Sequence, residues 1–170
     1  CKVNCQGGRF TWAKRRNAVV RNIAAAGPAI VAVQEAPTLP WRGTTQWADL
    51  SRLLARQGYR QTSDEDGCTQ GCTRGAHLYY DPARIRVAQT HKSATGMESQ
   101  RILSGRDWGP VQDRNLSWAY LQDIASGAVF MAVSVHLPNE KTALGEQLRQ
   151  ETAAGVAGWP RGPRGDRRER

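Results

Sequence analysis

The run IVAVQEA, Ile30 to Ala36, limits the possible folds more than any other stretch of the chain. It is apolar and mostly β-branched, lacks polar alternation, and lies between Gly27-Pro28 and Pro37. Such a run reads as a strand covered on both faces, as parallel strands usually are. It then ends in Gln34 and Glu35, a carboxylate directly after buried chain. Either Glu35 marks where the strand reaches water, or it stands where open α/β sheets bind ligands, beyond the carboxyl ends of their strands.

The flanking segments place this strand in an alternating pattern. Cys1 to Gln6 reads as a short strand entering a Gly7-Gly8 loop. Trp12 to Ala26 reads as a helix with Trp12, Val19, Val20 and Ile23 on one face and Gly27 as its stop. Thr45 is positioned to cap a second helix, with Trp47, Leu50, Leu53 and Leu54 inward and Gly58 at its end. Three short strands follow, Tyr59 to Ser63, Ala76 to Asp81 and Ile85 to Thr90, with a tight turn at Asp81-Pro82. His91 to Asp113 is polar and without period, so a loop is expected there. NLSWAYLQD and AVFMAVSVHL, joined by Ile124 to Gly127, form a predicted hairpin, and Leu144 to Val156 one more helix. The pattern specifies an α/β layered fold in one domain, residues 1–157. From residue 158 a Gly, Pro and Arg tail has too few apolar residues to join a core.

Charge points to the class of partner. The net charge is +9, of which the last twelve residues carry +3, leaving +6 for the body. A basic body favours polyanions such as nucleic acid or phospholipid headgroups. No apolar run of membrane-spanning length occurs. The chain opens on Cys1 rather than methionine, which reads as processing or fragmentation. The cysteines fall as Cys1-x3-Cys5 and Cys68-x3-Cys72. Four thiolates at that spacing suit zinc, but a strand between Cys1 and Cys5 would hold their sulfurs apart. A Cys68–Cys72 disulfide is the better expectation and points to a secreted or extracytoplasmic protein, with the cytoplasm as the alternative. Cys5 would then be a small buried residue.

Three polar residues sit at the ends of predicted strands: Asn4, Glu35 and His136. Singly, each also fits a turn or a solvated strand end. Together they fit a hard-metal site, since a carboxylate and an amide oxygen suit Mg²⁺ (or Mn²⁺ or Ca²⁺) and a histidine can serve a phosphoryl oxygen.

The order V-N-C at Val3 to Cys5, AIVAVQE at 29–35, HLYYDPARI at 77–85, RNLSWAYLQD at 114–123 and AVFMAVSVHL at 128–137 resembles the endonuclease/exonuclease/phosphatase superfamily, the deoxyribonuclease I-like fold. The resemblance implies a layered sandwich of mixed β-sheet with flanking helices and a metal-dependent phosphodiester hydrolase. It makes Glu35 the metal-binding carboxylate and Asn4 a support for metal and phosphate. His136 becomes the histidine at the scissile phosphate and Arg114 a substrate-binding arginine, while Tyr79, Tyr80 and Asp81 match a structural stretch. The implied substrate is nucleic acid or another phosphodiester.

The pattern also departs from the family. Gly165-Asp166 is followed by Arg167-Arg168, so the family's G-D-x-N is missing, and no terminal D-H follows. This gives the expectation of a partial, inactive hydrolase whose chain supplies mainly one of the two stacked sheets, leaving a sheet face open to a partner. Two alternatives are a non-catalytic domain that binds polyanions or protein, and a cysteine-clipped secreted module.

Overall fold

The computed structural model describes residues 11–36, 40–41, 43–62, 76–88, 97–103, 114–135, 137 and 141–158. The chain divides into two compact units, Cys1–His136 and Leu137–Arg170. The first strand expected from the sequence, all four cysteines and residues 159–170 lie outside the described residues.

Helix α1, Trp12–Ala26, follows from its apolar spacing. Gly27 ends it in the left-handed region at φ 56°, where its N–H reaches the carbonyls of Ile23 and Ala24. Helix α2 covers Gln46–Ala55, and the Thr45 hydroxyl accepts from the Ala48 N–H at 3.0 Å. Trp12 and Arg16 meet Asp49 near the start of both helices, and beyond their ends the Tyr59 hydroxyl donates to the Pro28 carbonyl at 3.0 Å. The helices therefore lie side by side in the same direction.

Each helix feeds a strand of one sheet. Strands β1 (Ile30–Val33) and β4 (Arg60–Gln61) flank β5 (His77–Tyr80), and both pair with it antiparallel. The expectation of a strand in a parallel setting is corrected here: the described pairing of β1 is antiparallel, and Ala32 is exposed. An apolar run too short to show its period leaves strand direction open. Strands β2 (Pro40–Trp41) and β3 (Thr44–Thr45) form a two-residue ribbon ahead of α2.

The second sheet is centred on β8, Arg114–Asp123. The strands β6 (Ile85–Val87) and β7 (Met97–Leu103) lie end to end along one edge of β8, and β9 (Val129–Val135) pairs with the other. The predicted hairpin is β8–β9, in register from Leu116↔Val135 to Gln122↔Val129. The loop expected over His91 to Asp113 is corrected within Met97–Leu103, which forms β7. Backbone bonds to β8 create that strand, and polar MESQRIL carries no period-2 signal that would reveal it.

Alternation of side chains then sets the layers. Val31 and Tyr79 face the helices with Trp12, Val20, Leu50, Leu54 and Tyr59. Ile30 and Tyr80 face the other way, against Ile85, Ala119, Leu121 and Ala132 of the second sheet. Helices, first sheet and second sheet thus stack in that order. The expected open face is corrected as well: the β8–β9 hairpin covers the Ile30 and Tyr80 side. In the second unit, α3 spans Ala143–Gly158, and the Thr142 hydroxyl accepts from the Gly145 N–H at 3.0 Å.

Candidate functional site

Glu35 follows β1 by two residues, half-buried, with φ 59°. Among the described residues it is the one non-glycine in the left-handed region. A long side chain held there costs free energy, so the neighbouring structure must fix it. Both neighbours are pinned. On one side the Gln34 amide donates to the Ser134 hydroxyl at 3.0 Å, and that hydroxyl donates to the Val33 carbonyl at 3.3 Å. On the other side the Ala36 carbonyl lies 3.1 Å from Nε2 of His77. A carbonyl only accepts, so Nε2 carries a proton. The His77 ring is buried and stacks on Trp47 at 5.2 Å between centroids and 14° between planes. The backbone at Glu35 is thus held from β9 before it and from β5 and α2 after it.

The same end of the molecule gathers further buried hydroxyls. Ser117 of β8 stands opposite Ser134 of β9 and donates to the Ala76 carbonyl. Each serine therefore ties the hairpin to a carbonyl at the end of a first-sheet strand. Serine is small enough to let the sheets approach, and each buried hydroxyl is satisfied. Of the stretch expected to be structural, Tyr79 is buried with its hydroxyl 2.9 Å from that of Ser51. Burial pushes the Tyr79 phenol up to about 12, and the Ser51 bond opposes part of that rise. Asp81 makes the expected turn, its carboxylate accepting from the Ala83 N–H at 2.9 Å.

The other expected site residues are placed less fully. Arg114 begins β8 opposite Leu103, and its side chain lies outside the described residues. Asn4 and His136 lie outside them too; His136 follows the last residue of β9 in sequence, two beyond Ser134. Ser134, Ser117 and His77 are the residues that sequence reasoning passed over. Their signal is a small or polar side chain at an inward position of an otherwise apolar strand, which a buried run tolerates only with a partner.

Among the described residues no three or more His, Cys, Asp or Glu side chains gather to hold a metal ion. A single half-buried carboxylate still fits Mg²⁺, which is bound by one or two carboxylates and keeps several waters. Among those residues no helix is long and apolar enough to cross a membrane.

No protein-family model and no curated protein matches the chain. Solved structures do. An endonuclease/exonuclease/phosphatase from Bacteroides vulgatus is 22% identical over 89% of this chain and 53% of its own, with a TM-score of 0.66. A Bacteroides thetaiotaomicron mannosyl-6-phosphatase is 18% identical over 91% of this chain and 54% of its own, at 0.60. The D. rerio TDP2 complexed with single-strand DNA product is 19% identical over 86% of this chain and 47% of its own, at 0.54. The chain spans about half the length of these structures. It has the endonuclease/exonuclease/phosphatase fold, mixed antiparallel sheets with flanking helices.

Proposed function

We propose that this chain carries the strand-end half of a metal-dependent phosphodiester hydrolase site, with Glu35 as the carboxylate that holds Mg²⁺. The observation that carries the reading is the pinned left-handed backbone at Glu35, because strained residues held by their surroundings cluster at ligand sites. Fold likeness to phosphatases and to a DNA-complexed enzyme supports the reaction class. Asn4 would support the metal, Arg114 would bind a substrate phosphate, and His136 would hold or move a proton at a phosphoryl oxygen. The bound cation would supply charge for the developing oxyanion. The basic net charge favours nucleic acid as the phosphodiester.

The test is hydrolysis of a labelled oligonucleotide by this chain with Mg²⁺ or Mn²⁺, beside cation binding by calorimetry. Glu35→Gln should lower cation affinity at least tenfold, and whatever turnover the half-site supports should vanish with it and fall roughly 10²–10⁴-fold in His136→Ala. Equal cation binding by Glu35→Gln and the parent chain would overturn the reading.

A further inference from the structure

The two helices carry a charge pattern that the strand-end site does not use. Together α1, α2 and the turn after it hold six bases, Lys14, Arg15, Arg16, Arg21, Arg52 and Arg56, against one acid, Asp49. That acid is buried and already spent: its Oδ1 accepts from Arg16 at 2.8 Å and Arg52 at 2.6 Å, and its Oδ2 from the Trp12 indole at 2.9 Å. One carboxylate thus fixes two guanidiniums across the groove between the helices, and the Arg52 side chain remains 50% exposed. Lys14 and Arg21, both exposed, are seven residues apart and so share one face of α1. They lie about 10 Å apart along the axis, close to the rise of three nucleotides in one strand of a duplex. Arg56 lies beyond the end of α2, which runs beside α1.

Two features separate this face from an ordinary solvated one. Lys14, Arg15 and Arg16 stand in the first five residues of α1, where the helix dipole favours acids, and α1 has none of its own in that turn. Arg52 and Arg56, four residues apart, also repel each other, a repulsion that an anion between them would relieve. The other exposed positions of the two helices are Asn17, Asn22, Ala25, Ala26, Ala48 and Ala55, with no large apolar side chain of the kind an interfacial membrane helix presents.

We infer that the outer α1–α2 face is a docking track for the phosphate backbone of a nucleic acid, with the Asp49-held Arg52 as its fixed centre and Lys14, Arg21 and Arg56 as its flanks, Arg16 bracing Asp49 from the inner side of α1. Guanidinium forks match phosphate oxygens, and the track reads charge rather than sequence. It goes beyond the hydrolytic reading and does not need the metal.

Fluorescence anisotropy of a labelled oligonucleotide on the full chain, in EDTA and across a salt series, tests it. The triple variant Lys14→Glu, Arg21→Glu, Arg56→Glu should bind at least about tenfold more weakly, with a salt slope smaller by roughly 2–3. Arg86→Glu, Ile124→Glu, Val129→Glu, negative charge added at exposed positions of the second sheet and its hairpin turn, should stay within about threefold of the parent chain, because the general charge term falls off within a Debye length. Circular dichroism melts check folding, and Lys14→Gln with Arg21→Gln gives the same order if the reversals unfold the protein. Equal losses in the two triple variants, or parent-like binding by the first, would overturn the track. So would displacement of the oligonucleotide by phosphatidylserine vesicles or polyglutamate as readily as by unlabelled nucleic acid. The anisotropy needs neither cation nor turnover, so a failure here is distinguishable from a failure of the hydrolytic site, which the cation titration reads.

Discussion

At Glu35 the backbone itself makes a prediction. Its φ of 59° is a conformation that glycine adopts freely and that a Cβ penalises. Glu35→Ala and Glu35→Gly both remove the carboxylate, so their difference isolates the backbone. At most positions alanine is the more stable of the two; here glycine should win by about 1 kcal/mol in urea unfolding. Alanine equal to or better than glycine would mean that the residue relaxes and that Gln34 and Ala36 do not hold it. Tyr79 offers a second check, through pH. Burial raises its phenol from 10.0 to about 12, so the folded state binds that proton more tightly than the unfolded state does. The stabilisation is complete below pH 10.0 and is lost as pH rises from there through about 12. Tyr79→Phe should flatten that part of the stability profile, and an unchanged profile would show that another group governs it.

Asp49 decides how the two helices hold together. It receives three donors at 2.6 to 2.9 Å while almost fully buried. Removing it leaves the part-buried Arg16 charge and the Trp12 indole without that acceptor, so Asp49→Ala should cost about 3 kcal/mol. Arg52→Ala takes away a half-exposed partner and should cost less than about 1 kcal/mol. Urea titration of both would show this asymmetry, and similar losses would deny Asp49 its central place. Legibility in the sequence also varies by element. Both helices and the β8–β9 hairpin were readable because periodicity, a threonine cap and stopping glycines agree on them. Strand β7 was not, since it exists through backbone pairing with β8 that its own side chains do not announce. Likewise Glu35 stood out from its place at the end of an apolar run, whereas Ser134 and His77 gain meaning only when β9 and β5 are brought beside β1. Their contacts span 100 and 41 residues of sequence, beyond the reach of any local pattern.

Across the first unit, the central question is whether its layers behave as one body. The first sheet is shared by both apolar clusters: Val31 and Tyr79 lie in the helix-facing one, and their strand neighbours Ile30 and Tyr80 in the one facing β8 and β9. Any strand displacement that loosens one cluster therefore moves backbone that supports the other. Leu54 and Leu121, each fully buried, mark the two clusters separately. Leu54→Ala and Leu121→Ala should each cost about 2–5 kcal/mol, the usual range for a buried leucine. If the shared strands couple the layers, either substitution should speed hydrogen exchange equally in peptides from α2 and from β8. If the layers open independently, Leu54→Ala would accelerate α2 alone, and Leu121→Ala would accelerate β8 alone. That second outcome would also weaken the case for Glu35, whose backbone is held from β9 and β5 together and keeps its shape only while both layers stay closed.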